Sequence, residues 1–372
     1  MSLSVCHIST VHSAFDDRIF YKECVSLSKA GYEVTLVINH DKDERVKGVN
    51  IKALKPTSSR LKRIFIKPFK AAFKVLKSKP KVIHLHDPEL LPLGVLFAVL
   101  GKKVVYDMHE LVYHQIADKS WIGFPLVRKL ISKVYFFIEK ISITLFSRVI
   151  LAEDGYKHYV TSHYANQINK FEYVRNFSIL SLIEKINPVN KVTNNKIVIY
   201  AGGLTVIRGI KEVIQAVNKL DGVELWLLGS WENERYQKES MNEDKNNVVN
   251  YIGQVRMEDV YAYMKVADIG IANLYHLENY LTSLPVKAFE YMACRLPIIM
   301  SDFPFWKNVF SECALFVDPK NPTEISEKIK YLISRPELAQ IMADKSYKLV
   351  YEKYSWEQES NKLVELYQKM LN

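Results

Sequence analysis

What most limits this chain is a rhythm. Runs of four to eight apolar residues, rich in Val and Ile, alternate with longer amphipathic stretches; YEVTLVIN (32–39), KVIHLHD (81–87), KIVIYAGG (196–203) and PIIMSD (297–302) are such runs. Strands that are apolar on both faces and separated by helices belong to parallel sheets covered on both sides. The rhythm stops once, over 176–196, where Pro188 and a cluster of asparagines accompany no clear strand. On either side of that break the 372 residues leave room for one doubly wound α/β domain. The spacing predicts a first domain over 1–178, a second over 179–355 and a helical tail over 335–371. In sheets of this kind ligands bind beyond the carboxyl ends of the strands, so the residues that end strands are the ones to examine.

The net charge of +10 is uneven: residues 1–178 hold 28 Lys and Arg against 16 Asp and Glu, residues 179–372 hold 23 against 25. The first half therefore calls for an anionic partner, such as a membrane surface or an anionic acceptor. No nucleic-acid reading motif is present, so nucleic acid is not expected. Cys6, Cys24, Cys294 and Cys313 form no C-x-x-C pair and no zinc spacing, and read as small buried residues of a reducing compartment. The N-terminus lacks the features of a signal peptide. The longest apolar run, 90–101, contains Pro92 and Gly94 and is too short to span a bilayer. A cytoplasmic location is the expectation.

In the second half, YAGGLTVIRGIKEVIQAV puts Gly202 and Gly203 at a strand end, then Arg208 and Gly209, then a helix carrying Lys211. Glycines admit a phosphate to the backbone, a helix N-terminus favours an anion, and an arginine can grip a diphosphate with two bonds. A plain turn with a solvated arginine is an equal alternative. Gly229 ends VELWLLGS, where a nucleoside base could approach or the chain could simply turn. The stretch LTSLPVKAFEYMACR (281–295) predicts a helix capped by Thr282 or Ser283, with Pro285 in its first turn and Val286, Phe289, Met292 and Ala293 buried. Lys287 and Glu290 share a different face. A cation in a first turn opposes the helix dipole unless an anion binds nearby, and a carboxylate can accept both hydroxyls of a ribose. The alternative is a surface Lys–Glu pair.

At these residues, and at VYDMHE (105–110) and YVRNFS (173–178), the chain resembles the retaining glycosyltransferases of family 4. The resemblance runs in order along essentially the whole chain and is most specific at FEYMACRLPIIMSD (289–302). It implies the GT-B fold: two Rossmann-like doubly wound domains facing across a cleft, with the last helix, 356–372, crossing back onto the first. It implies an acceptor-binding first domain and a second domain that binds a UDP- or GDP-linked sugar, with no cofactor and no metal. Glu290 matches the acid that holds the donor ribose, Arg208 the basic residue on the diphosphate, His109 the histidine that approaches the donor sugar, and Asn176 an asparagine near the crossover. The catalytic set is then His109 and Arg208. The donor set is Glu290 with Gly202, Gly203, Lys211, Gly229, Thr282, Ser283, Leu284 and Lys287. Two positions depart from the family: Thr282 stands where the first acid of an E-x7-E pair is common, and Gly203 where an arginine is common. VHSAFDDRIFYKECVSLSKAGYEV and HLHDPELLPLG look like a bacterial subgroup that builds surface polysaccharides such as capsule or O-antigen. The implied acceptor is a lipid-linked glycan. The departures keep open a second reading, a non-catalytic GT-B protein that binds a glycan or a partner enzyme.

In the first half, STVHSAFDDR supplies His12, Asp16 and Arg18 as candidates for acceptor contacts, and Asp87 reads as the N-cap of a helix begun by Pro88. The segment 58–79 sets Leu61, Ile64, Phe65, Phe69, Ala72, Phe73 and Leu76 on one helical stripe flanked by lysines and arginines, with a kink expected at Pro68. Such a helix lies on an anionic bilayer or packs its stripe on the sheet with the cations outward. The segment 121–140 is a second candidate surface. DKD at 41–43 formally matches a D-x-D metal signature, but it sits in a charged loop and no metal is expected.

Overall fold

The computed structural model describes residues 3–118, 123–277 and 283–371; Thr282 and the start of the 121–140 surface lie outside them. The chain forms two compact units, Met1–Asn176 with Glu359–Asn372, and Phe177–Gln358.

Unit 1 holds the strands β1 (Ser4–Ser13), β2 (Glu33–Asn39), β3 (Glu44–Val46), β4 (Val49–Leu54), β5 (Val82–Leu85), β6 (Lys103–Met108), β7 (Arg148–Leu151) and β8 (Phe171–Tyr173). Their order is β3-β4-β2-β1-β5-β6-β7-β8, and all pairs are parallel except β3 with β4. The helices are α1 (Val25–Lys29), preceded by a wide π-helical stretch Asp17–Cys24, α2 (Lys67–Ser78), α3 (Leu91–Val99), α4 (Val112–Asp118), α5 (Pro125–Leu145) and α6 (Lys157–His163). Strand alternation sorts the faces. Cys6, Ile8, Ile83, Leu85, Val104 and Tyr106 pack in one cluster with Ala71 and Val75 of α2, Phe97 of α3 and Ile143 of α5. His7 and His84, paired across β1 and β5, point to the opposite face. The charged run ERVKG does not announce the small hairpin of β3 and β4, which Lys47 and Gly48 close at φ 48° and 83°. The kink expected at Pro68 is replaced by a wide turn, Lys62–Ile66, ahead of α2, which accommodates the missing N–H in the helix's first turn.

Unit 2 holds β9 (Lys196–Ala201), β10 (Val223–Leu228), β11 (Val249–Gly253), β12 (Ile269–Ala272), β13 (Ile298–Ser301) and β14 (Ala314–Val317), all parallel, in the order β11-β10-β9-β12-β13-β14. Its helices are α7 (Leu180–Lys185), α8 (Ile210–Val217), α9 (Glu234–Met241), α10 (Met257–Met264), α11 (Val286–Ala293), α12 (Pro304–Phe310), α13 (Pro322–Ile333) and α14 (Pro336–Lys353). The last helix, α15 (Trp356–Leu371), belongs to unit 1 from Glu359 onward. The tail is not one continuous helix, because it bends at Tyr354 and Ser355. Ile199, Ala272, Phe289, Met292 and Trp306 fill one side of the sheet; Val198, Tyr200, Ile214, Ile271 and Ile329 fill the other. All four cysteines are buried and unbridged.

Candidate active site

In unit 2 the chain runs from β9 to β11 in one direction and from β12 to β14 in the other, so β9 and β12 flank the switch point. These two strands pair only at Val198 and Ile199 with Ile269 and Gly270. Beyond that, the Tyr291 hydroxyl fills the gap: it accepts from Ala201 N–H (3.1 Å) and donates to the Ile271 carbonyl (3.1 Å). Its ring lies on Gly270, where a Cβ would come within 2.6 Å. Sequence reading missed Tyr291, although a glycine inside an apolar strand is a sign of close approach.

The helix α11 begins at Val286, after Pro285, with no side-chain cap. Thr282 lies outside the described residues, and the N-cap position falls on Pro285 rather than on Ser283, whose carbonyl accepts from the Trp306 indole (2.7 Å). Leu284 packs on the core. The buried face is also rotated from the expected one, with Ala288, Phe289, Tyr291, Met292 and Ala293 inward and Val286 exposed. Lys287 crosses the Tyr200 ring at 3.6 Å from its centroid and ends beside Gly202, where a Cβ would stand 2.9 Å from the ammonium. That nitrogen is sealed from solvent and has no hydrogen-bond partner among the described residues. Burial, then the charge of Arg208, lowers the Lys287 pKa well below 10.5, and only the Glu290 carboxylate opposes this. Arg208 closes a short turn ahead of α8, and Glu290 accepts from the Tyr261 hydroxyl (3.2 Å). Gly202, Arg208, Lys287 and Glu290 are thus brought together at the carboxyl end of β9. Lys211 is not, because its ammonium pairs with Glu243 at 3.2 Å.

Gly229 has a structural duty in this site. Gly202 and Gly229 both sit at φ 136°, and a Cβ on Gly229 would lie 1.9 Å from the Gly202 carbonyl oxygen. That conformation is nearly closed to other residues and costs them ~1–3 kcal/mol before any clash. Gly229→Ala is expected to lower the melting temperature; a variant as stable as the parent would remove this role.

Unit 1 has its own switch point between β1 and β5. There Asp87 does not cap its helix. It accepts from Ser9 and Thr10 hydroxyls and from Thr10 and Val11 N–H groups, tying the end of β1 to β5. His12 and Asp16 are half-buried and joined at 3.0 Å, and Asp16 also caps the stretch Asp17–Cys24 through Ile19 N–H. Burial works against the Asp16 charge, but bonds from His12 and Ile19 pull its pKa to about 2. His109, after β6, is one-fifth exposed; its Nε2 stands 3.1 Å from Asp107 and 3.4 Å from His86, and its ring faces that of His12. Asn176 accepts from Lys22 (2.8 Å). Arg18 must be corrected: it is buried, donates twice to Asp107 (2.9 and 2.8 Å) and once to the Val174 carbonyl, and so is core rather than acceptor surface.

Two groups among the described residues have the donor types to reach one ion: His7, Glu23, His84 and His86, and His86, Asp107 and His109. The Arg18 guanidinium lies 3.1 Å from Glu23 and 2.8 Å from Asp107, and so competes with a metal cation for both groups. His7 and His86 share a hydrogen bond at 2.9 Å, and His84 meets the Tyr367 hydroxyl at 2.7 Å. Asp43 of the DKD run accepts from Lys52 and Ala53 N–H, a structural duty.

Residues 5–177 match the family model described as Glycosyltransferase Family 4, and residues 183–349 match that described as Glycosyl transferases group 1. An uncharacterised glycosyltransferase of Methanocaldococcus jannaschii is 25% identical over 211 residues, 54% of this chain and 52% of that one; the match spans about half the length of that relative. Among solved structures, sucrose-phosphate synthase from Thermosynechococcus elongatus has a TM-score of 0.76 at 18% identity, over 99% of both chains. A glycosyltransferase from Rickettsia africae also reaches 0.76, at 14% identity, over 100% of this chain and 99% of that one. The Anabaena protein HepE, in complex with UDP and glucose, reaches 0.68 at 14% identity, over 98% of this chain and 99% of that one. At these identities the likeness is one of fold.

Proposed function

This chain belongs to the family 4 and group 1 glycosyltransferases and is a transferase of the GT-B fold, and from that premise we propose that unit 2 binds a UDP- or GDP-linked sugar at the switch point between β9 and β12. The observation that carries the proposal is the buried Lys287 ammonium, without a hydrogen-bond partner among the described residues, beside Gly202. A sealed cation of this kind is costly unless an anion completes it, and a diphosphate has the charge and the oxygens to do so. Glu290, on the same helix, is proposed to accept the ribose hydroxyls. UDP stands first among donors because HepE carries it.

The proposed transfer retains configuration and needs no metal. As the bond from sugar carbon to diphosphate oxygen breaks, negative charge grows on the diphosphate, where Lys287 and Arg208 stabilise it. The acceptor hydroxyl bonds to the sugar carbon and yields its proton to the departing phosphate. His109 is proposed to donate to a sugar hydroxyl, and His12 with Asp16 to contact the acceptor. That acceptor is proposed to be a lipid-linked glycan of envelope or capsular polysaccharide synthesis. The basic helical segment 60–78 would then meet an anionic membrane from its cytoplasmic side.

A thermal-shift screen of UDP, GDP, ADP and CMP tests the donor site. A uridine or guanosine diphosphate is expected to raise the melting temperature. Glu290→Ala should weaken that nucleotide by about 10- to 100-fold, the worth of hydrogen bonds to a charged group. No shift with any nucleotide would remove the proposal.

A further inference from the structure

Unit 1 carries its large apolar side chains on the outside of one helix layer. α2, α3 and α5 cover the same face of its sheet, since Ala71, Val75, Phe97 and Ile143 share one cluster beneath them. Toward the sheet α2 buries only Ala71, Val75 and the stem of Lys67, while Phe69 and Phe73 are 77% and 73% exposed. The stripe read from the sequence therefore faces outward. α5 repeats the arrangement at greater length. Leu126, Leu130, Val134, Phe137, Ile141 and Leu145 follow one another at spacings of three or four and are all exposed, Leu126 at 82%. Leu96, Val99 and Leu100, in and just after α3, extend the ridge. Soluble monomers rarely leave so many large apolar side chains on one surface without a partner.

The charge around this surface is mostly positive, although Arg63 pairs with Glu89 (3.1 Å) and Lys74 with Asp43 (3.6 Å). Residues 58–79 hold eight Lys and Arg and no acid. α5 adds Arg128, Lys129, Lys133 and Lys140; its one acid, Glu139, is buried and accepts from the hydroxyls of Tyr159 and Tyr164 (both 2.6 Å). Beside α2 runs a groove of about 850 Å³ in which Lys62 and Lys70 stand next to Phe69, Phe73 and Pro56.

We propose that this layer is a docking face for an anionic bilayer: the ridge of α5 and α3 enters the interfacial zone, and the lysines of the α2 groove hold lipid headgroup phosphates. The proposal rests on the reading that the acceptor is lipid-linked and adds the α5 and α3 ridge to the basic segment 60–78. A second copy of the chain fits poorly, because the two faces would bring like charges together. No helix among the described residues is long and apolar enough to cross a membrane. α5, with cations distributed among its apolar residues, suits lying along the surface.

The test is co-sedimentation of the full chain with vesicles of phosphatidylcholine, with and without phosphatidylglycerol. Binding is expected only with the anionic lipid and should fall with salt. Leu130→Glu with Phe137→Glu should reduce binding by about tenfold or more, since two apolar anchors become anions. The nucleotide-induced thermal shift should stay unchanged and so report the fold. Lys62→Glu with Lys70→Glu should weaken binding and flatten its salt dependence. Wild-type protein left in the supernatant would overturn the proposal. So would an α5 variant that binds like the parent, or a wild-type dimer that the α5 variant converts to monomer. If the chain binds vesicles but transfers sugar only to a water-soluble acceptor, the docking face stands and the lipid-linked acceptor does not.

Discussion

Lys287→Met is expected to move the protein in two opposite directions at once. Without nucleotide the variant should be more stable. It loses a sealed ammonium with no hydrogen-bond partner among the described residues, worth ~1–3 kcal/mol, and forfeits a contact with Tyr200 worth ~0.5–2 kcal/mol, so a net gain of about 1 kcal/mol is the outcome. With UDP the sign reverses. Removing one side of a buried charge pair costs ~2–5 kcal/mol, a loss of roughly 30- to 4,000-fold in affinity. The pH dependence follows from the lowered pKa. Between the folded value and 10.5 the unfolded chain binds the proton that the folded chain has lost, so wild-type stability rises with pH across that window and the variant lacks this slope. A bound diphosphate favours the charged lysine. UDP binding should therefore take up a proton at pH values above the unliganded titration, read by calorimetry in buffers of different ionisation heat. A variant that binds UDP within twofold of the parent would show that Lys287 does not meet the phosphate.

The same lysine shows what a sequence can and cannot say. Its place three residues from Glu290 in a first helical turn was legible, because helix period is a local rule. Its approach to Gly202 was not, since that depends on Tyr291 setting α11 against the gap between β9 and β12. Buried charge was the least legible of all. Arg18 and Asp107 sit in strand-end and helical stretches where charged residues ordinarily meet solvent, and nothing local distinguishes a core arginine from a surface one. The stripe of α2 was visible as a stripe, but period alone does not say which side of a helix faces the sheet. Small Ala71 and Val75 turn inward there because they let the helix lie close, which leaves the phenylalanines outside.

The buried acids around Arg18 carry the second large effect. Asp107 and Glu23 are both fully buried, and one guanidinium serves both. Asp107 takes the two parallel bonds, and Glu23 Oε1 comes within 3.1 Å of the same Nε. Arg18 gives both of its parallel bonds to Asp107, which leaves Glu23 as the acid that keeps its proton. Burial, then the charge of Asp107, raises Glu23 well above 4.5, with Arg18 opposing. At Asp107 burial also resists ionisation, but Arg18 and His109 outweigh it and hold the carboxyl well below 3.8. The signs are therefore opposite. Asp107 contributes stability above 3.8 that is lost as pH falls toward its folded value. Glu23 contributes below 4.5, and that contribution is lost as pH rises through its folded value. Glu23→Gln should be close to neutral at pH 5 and should gain on the parent as pH rises. Asp107→Asn leaves Arg18 facing Glu23 alone, which can then ionise and recover part of the loss. The double variant has no such refuge and should cost ~3–5 kcal/mol, the penalty of a buried unpaired charge, and more than the two single changes together. Denaturant unfolding of the four proteins at pH 5 and pH 8 measures each quantity. If Glu23→Gln destabilises as much as Asp107→Asn, the proton is shared differently and Glu23, not Asp107, is the partner that Arg18 was buried to meet.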